Sequence, residues 1–203
     1  ILNCREHTGH LNHYIRGCVQ EVRALSFTKN IKKFENEIKG QRTDYENWLG
    51  AEWKVDANDS LSSIAGEHVD YLIVDHYALD CKWENYLRPI CSKLIVIDDL
   101  ADRHHNCDIL LDQNLGRHAD DYRDLVPYEC TILVGPRYAI LRAEFFMLRE
   151  RSLSRRKKHK LRRILIAMGG VDQFDMTGKV LRALSQCRLP EGCNIKVILG
   201  ATA

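Results

Sequence analysis

Apolar residues along this chain gather into short unbroken runs instead of alternating with polar ones. Tyr71–Val74 (YLIV), Lys93–Ile97 (KLIVI), Thr131–Val134 (TILV) and Ile164–Met168 (ILIAM) are such runs, and Ile195–Leu199 (IKVIL) follows near the end. Runs of this length without polar alternation predict strands buried on both faces of a parallel sheet. Segments of helical length lie between several of them: Asp80–Cys91, Ala139–Arg151 and Met176–Cys187. Strands alternating with helices predict an α/β fold with right-handed crossovers. The DILL run before Asp112 reads as one more strand end, and Asp112–Asp120 as a turn-rich loop. Within Ser26–Asn47 only KNIKKFENEIKG carries the spacing of an amphipathic helix.

A stretch dense in Arg and Lys, Arg151–Arg163, interrupts the pattern before a new strand–helix–strand unit. The expected organisation is therefore a Rossmann-type parallel-sheet domain over residues 1–150, a basic linker over 151–163, and the first part of a second Rossmann-like domain over 164–203. The basic stretch suits a solvated linker or a polyanion patch. A start at Ile1 instead of Met, and a stop just after a strand-like run, set the expectation of a fragment. Hydrophobic residues at 45% and charged residues at 29% are ordinary for a folded protein. A net charge of +2 is too mild to propose a nucleic-acid or membrane partner. No leader pattern and no apolar run of about 18 residues is seen, which points to the cytoplasm. Eight cysteines occur without a CxxC pair, so neither a zinc ribbon nor a dithiol redox motif has its spacing. They are expected to be reduced and mostly to fill core space.

Ligands of open parallel sheets bind outside the carboxyl ends of the strands, so the residues that follow each run carry the candidate chemistry. YLIV ends in Asp75-His76-Tyr77, KLIVI in Asp98-Asp99, and ILIAM in Gly169-Gly170-Val171-Asp172. Gly169 and Gly170 precede a helix expected near Phe174, and glycines before a helix N-terminus suit either phosphate approach or a tight turn. Of Asp98 and Asp99, one is expected to cap the LADRHH turn and the other to face solvent. Cys4, His7, His10 and His13 recur every third residue. They suit a metal cluster, or a loop leading into a helix over Tyr14–Leu25 that presents His13 as a neutral base.

Four segments in order, VDHYALDCKWE, LIVIDDLADRHHNCDILLDQN, LVGPRYAILRAEF and ILIAMGGVDQFDMT, resemble the UDP-sugar hydrolases of pseudaminic acid biosynthesis. Those enzymes act on UDP-2,4-diacetamido-2,4,6-trideoxy-β-L-altropyranose, and the resemblance runs from about Trp48 to Gly200. It implies a two-domain GT-B architecture, with sugar and catalytic groups mainly from the first domain and nucleotide binding mainly from the second. It also implies hydrolysis of the anomeric C–O bond with inversion, releasing UDP and the free sugar without metal or cofactor. The family's GxGHxxR motif is matched by His10–Arg16, with His10 and Asn12 in place of its glycines. By this resemblance His13 is the general base, and Asn12 and Arg16 bind substrate. Asp75 and Tyr77 line the sugar site, Asp112-Gln113-Asn114 with Asn114 foremost contacts the sugar or closes a turn, and Gly169, Gly170 and Asp172 approach the diphosphate. Asp175 stands where the GGxDxxNxT motif has Asn. His76 either touches the ligand or turns from it, while Trp83 and Glu84 read as core packing and surface charge. Cys81, Cys107 and Met168 read as packing residues. Two rival readings stay beside the hydrolase: a non-catalytic nucleotide-sugar-binding domain, and a glycosyltransferase of the same architecture.

Overall fold

Three of the expected strands and the DILL run pair side by side in one parallel sheet. A computed structural model describes residues 1–5, 15–26, 42–157, 160–169, 172 and 174–200. Strands β1 (Leu2–Arg5) and β2 (Val22–Leu25) pair in parallel. Strands β3 (Val69–Val74), β4 (Cys91–Ile97), β5 (Ile109–Asp112) and β6 (Thr131–Val134) form a parallel sheet in that order. Strands β7 (Arg163–Ala167) and β8 (Asn194–Ile198) form a parallel pair. The helices are α1 (Arg42–Leu49), α2 (Trp53–Ile64), α3 (Cys81–Leu87), α4 (Ala143–Arg156) and α5 (Met176–Ser185). This is a mixed α/β, Rossmann-like arrangement in two compact units, Ile1–Ile140 and Leu141–Ala203.

Several elements differ from expectation, each for a physical reason. Val22–Leu25 is a strand, not the end of a helix, because VRAL pairs residue for residue with LNCR. Helix α2 was not foreseen, since WKVDANDSLSSI is rich in Asp, Asn and Ser, which compete for backbone hydrogen bonds and weaken helix propensity. It forms because Ala57 and Ile64 are buried, together with Asp56 and Ser60. Helix α4 continues through Arg156, so the basic stretch begins as the last turns of a helix. The KNIKKFENEIKG segment lies outside the described residues. The sheet is also less enclosed than its apolar runs imply. In β3, Val74 is buried while Tyr71 and Ile73 are 65% and 59% exposed, so this strand alternates between a core face and an open one.

The core lies between the sheet and helices α2 and α3, where Ala57, Leu87, Leu94, Leu110 and Tyr122 are fully buried. Polar residues tie the smaller strands to it. Asp56 of α2 accepts from Arg5 Nη2 at 2.8 Å and from Trp83 Nε1 at 2.9 Å, joining β1, α2 and α3. Trp83 is thus a core residue as expected, with its indole N–H satisfied. Glu84 is not surface charge: it is fully buried and meets the buried His105 Nδ1 at 2.6 Å. A carboxylate removed from water needs such a partner, which the linear sequence does not display. Cys91 and Cys107 fill core space, but Cys18 and Cys187 are exposed, so core filling accounts for only part of the cysteines. Met168 is 37% exposed and is not a packing residue.

Asp108 pins the edge of the sheet. It receives Arg88 at 2.5 and 3.1 Å, Lys93 at 3.0 Å and the Leu94 N–H at 2.8 Å. These donors, Arg88 first, hold its carboxyl well below the usual carboxylate range. A lowered carboxyl stabilises the fold above its unfolded value, near 4, and that stabilisation declines as pH falls further. Asp108→Asn is expected to cost about 1–2 kcal/mol at neutral pH. In urea unfolding it should also flatten the decline in stability below about pH 4. An unchanged midpoint together with an unchanged acid limb would refute this role.

Candidate functional site

Strand register explains which side chains meet at the carboxyl edge. Val74 faces Val96, and Val96 faces Leu110. Tyr77, Asp99 and Gln113 follow these strand ends and come together at that edge. These residues, with Ile97, Asp98 and Asn114, line a cleft of about 60 Å³. Counting one residue beyond the Ile97–Leu111 pair sets Asp98 level with Asp112, and the Asp98 N–H to Leu111 C=O bond of 3.0 Å continues the ladder. Because side chains alternate along a strand, Asp98 and Asp112 belong to the core face while Asp99 and Gln113 belong to the other.

Two adjacent buried carboxylates repel unless they are compensated. Arg103 Nη2 lies 2.7 Å from Asp98 Oδ1, and Arg117 Nε donates to Asp112 Oδ2 at 2.6 Å. The Arg103 contact is a charge contact, off line for a hydrogen bond at that oxygen. Between the carboxylates stands the fully buried Tyr122, whose hydroxyl lies 3.1 Å from Asp98 Oδ2 and 2.9 Å from Asp112 Oδ2. Its single proton is donated to one of them at a time. Asp98 caps the following turn through the Leu100 and Ala101 N–H groups, as one of the pair was expected to do. Burial pushes its carboxyl up, but the Ala101 N–H and the Arg103 charge outweigh this and leave it below the usual range. Burial, then the charge of Asp98, pushes the Tyr122 phenol far up, so it remains a neutral donor. Arg117 also donates to the Asp99 C=O and lies 5.7 Å over the Tyr122 ring.

Asp99 is half-buried: it lines the cleft, and its Oδ1 is buried without a hydrogen bond. A hydrogen bond to Asp99 is the first cause that pushes the Tyr77 phenol above its ordinary value, keeping it protonated at physiological pH. His76 turns its Nδ1 to the Ala78 N–H at 3.1 Å. Burial lowers its basicity, which suits a neutral ring holding the turn. Asp112 Oδ1 accepts from the Asn114 N–H at 2.9 Å, so Asn114 closes a turn and also lines the cleft. Asp75 is exposed at the same strand end, outside the cleft lining, and Arg16 is exposed in a turn. Asn12 and His13 lie outside the described residues, as do His7 and His10 of the expected metal cluster. Among the described residues no group of three His, Cys, Asp or Glu could hold a metal ion. No helix among them is long and apolar enough to cross a membrane.

In the second unit Gly169, at φ +85°, follows β7, while Gly170 lies outside the described residues. Asp172 accepts from the Met176 and Thr177 N–H groups at 2.8 and 2.9 Å, and Asp175 from the Gly178 N–H at 3.0 Å. The first N–H groups of α5, the donors that would meet a phosphate, are therefore taken by two aspartates of the chain itself. A Cβ at Gly178 would fall on the Asp175 carboxylate.

Reading the strand ends finds Tyr77, Gln113 and Asn114 but gives Asp99 too little weight. Arg103, Arg117 and Tyr122 carried no signal: each lies in a polar stretch and acts only through a partner on another element.

No protein-family model matches the chain. Over 130 residues it is 32% identical to the UDP-2,4-diacetamido-2,4,6-trideoxy-beta-L-altropyranose hydrolase of Campylobacter jejuni, a match covering 64% of this chain and 45% of that protein. Over 147 residues it is 32% identical to an uncharacterized protein of Methanocaldococcus jannaschii, covering 71% of this chain and 30% of the relative. The chain thus matches less than half the length of these curated relatives. The resemblance to UDP-sugar hydrolases, first carried by four motifs, is borne out.

Two substitutions test the geometry. Tyr122→Phe leaves the two strand-end carboxylates without their shared donor and is expected to cost about 1–3 kcal/mol in chemical unfolding. A stability within a few tenths of a kcal/mol of the parent would show that the arginines suffice. Gly178→Ala displaces the Asp175 cap and should cost about 0.5–2 kcal/mol. A gain in helix stability, as an unconstrained Gly→Ala change gives, would contradict the packing described.

Proposed function

We propose that this chain is the sugar-binding and catalytic part of a cytoplasmic nucleotide-sugar hydrolase with GT-B architecture. Its substrate is a UDP-linked diacetamido-trideoxy sugar, and the free sugar serves pseudaminic acid biosynthesis. What supports this reading most is the cleft lined by Tyr77, Asp99 and Gln113 at the carboxyl edge of a parallel sheet, in a chain resembling a UDP-sugar hydrolase. A polar cleft at that edge suits sugar hydroxyl and amide groups, and Tyr77 keeps its proton to donate. In the proposed reaction water attacks the anomeric carbon from the face opposite the leaving group. His13 accepts the proton of that water, the C1–O bond breaks, and its electron pair leaves with the diphosphate oxygen of UDP. Asn12 and Arg16 stand beside His13 in the motif, and Asp75, Tyr77 and Asn114 orient the sugar. Gly169, Gly170 and Asp172 are assigned to the diphosphate side.

One observation favours the second reading, a domain that binds nucleotide sugars without cleaving them. Asp172 and Asp175 already occupy the N–H groups that open α5, which sets carboxylates where a diphosphate would sit.

The two readings separate in one pair of assays. Incubation with UDP-2,4-diacetamido-2,4,6-trideoxy-β-L-altropyranose should release UDP and raise the thermal midpoint. His13→Ala is expected to lower UDP release on the order of 10²–10⁴-fold with little change in folding. A ligand-induced thermal shift without UDP release selects the binding domain. Full turnover in His13→Ala removes His13 from the mechanism.

A further inference from the structure

Cys107 and Cys130 bring their sulfurs to 3.6 Å at the starts of neighbouring strands. Cys107 lies just before β5 and Cys130 immediately before β6. The Thr131 N–H donates to the Asp108 C=O at 2.9 Å, so the β5–β6 pairing extends into the backbone that carries the two thiols. Asp108 is held in turn by Arg88, Lys93 and the Leu94 N–H. The sulfurs therefore meet on a fixed frame, at the amino edge of the sheet and away from the cleft.

A buried cysteine is ordinarily a small core residue. This pair differs in its contact and in its access. Cys91 and Cys187 turn their sulfurs to the Arg88 and Ala183 carbonyls, at 3.7 and 3.4 Å. Cys107 and Cys130 turn to each other; Cys107 is buried and Cys130 half-buried, so one sulfur is open to a small oxidant with the other behind it. The bond to Cys130, then burial, pushes the Cys107 thiol up, so it keeps its proton. The same bond holds the Cys130 thiol below its ordinary value, which favours the reactive thiolate there. Among the described residues no third His, Cys, Asp or Glu completes a metal site with them. A disulfide sets its sulfurs about 2 Å apart, so thiols already in contact need only a small side-chain adjustment.

We propose that Cys107 and Cys130 form an oxidative modification site, a dithiol that closes reversibly to a disulfide and staples the segment between them. Hydrogen peroxide is the oxidant. The Cys130 thiolate attacks one peroxide oxygen, the O–O bond breaks, and the hydroxide released takes up a proton as water. The Cys107 sulfur then attacks the sulfenic sulfur of Cys130, and the hydroxide it expels leaves with the Cys107 proton as a second water. Two thiols are oxidised and one peroxide is reduced. The closed segment carries Asp112, Arg117 and Tyr122, the groups that support the cleft from behind. The staple removes freedom from the unfolded chain over that segment. Nothing in this chemistry depends on what the cleft binds.

Peroxide oxidation of the reduced parent chain, alkylation of the remaining thiols and peptide mass spectrometry test the site. The expected product is a Cys107–Cys130 cross-linked peptide that dithiothreitol returns to two thiols. The thermal midpoint is compared before and after oxidation in the double variant Cys18→Ser/Cys187→Ser, which removes two exposed thiols able to join chains. Oxidation should raise it by about 2–10 °C. Cys107→Ser should leave Cys130 as a sulfenic acid that dimedone captures, and Cys130→Ser should leave Cys107 reduced. Should either variant fail to fold, the parent-chain cross-link and the midpoint decide. Both thiols still reduced after peroxide, a cross-link from either to another cysteine, oxidation that dithiothreitol does not reverse, or a midpoint unchanged or lowered overturns the proposal.

Discussion

Asp98 and Asp112 sit level on adjacent parallel strands, on the same face and out of reach of solvent. Two anionic groups in that position would push the strand ends apart if left alone. The chain answers with Arg103 on one side, Arg117 on the other and Tyr122 between. Arg103 comes from the connection after β4 and Arg117 and Tyr122 from the one after β5, so satisfying the carboxylates ties down both connections. The opposite face of the same strand ends then presents Asp99 and Gln113 toward Tyr77 in one orientation. The candidate site is thus an outcome of charge compensation carried out behind it.

Sites built on strand ends keep their geometry better than sites built on long loops. Here the loop between β4 and β5 is held at several points. Glu84 reaches from α3 to His105, and the Cys81 N–H bonds to the His104 C=O at 2.9 Å. The cleft wall formed by Asp99 therefore begins and ends on anchored backbone. The second unit is organised differently at the corresponding point. The opening turn of α5 is closed by Asp172 and Asp175, which lends that helix stability and leaves little of its positive end exposed to an anion.

The sheet was legible because four residues without a polar interruption read as a strand whatever their neighbours do, and YLIV, KLIVI and TILV all behave so. Its enclosure was not legible: Tyr71 and Ile73 look as apolar as Val74, and only the partner elements decide which face is covered. The residues α2 and β2 share the same difficulty from opposite directions. Asp, Asn and Ser disguise a helix that tertiary contacts hold, and VRAL looks helical until LNCR pairs with it. At the candidate site, spacing from a strand end finds Tyr77 and Asn114. It cannot rank Asp98 against Asp99, because their roles depend on side-chain alternation relative to a core not yet known. Tyr122 and Arg103 are further removed, since each has meaning only through a carboxylate distant in sequence. Glu84 is the plainest misreading, a helix carboxylate that finds its histidine across the fold.

Asp56 joins Arg5 and the Trp83 indole through one carboxylate, and Arg5 also donates to Asp59 at 3.0 Å. Positions 5, 56 and 83 consequently form a set whose members cannot vary independently. Loss of the carboxylate leaves the buried indole N–H without its acceptor and Arg5 with Asp59 as its carboxylate partner, while loss of Arg5 or Trp83 leaves the others partly served. Among related sequences such a triad should be inherited or replaced as a block. Its joint presence or joint substitution would then mark whether β1 still docks on α2 in a given relative.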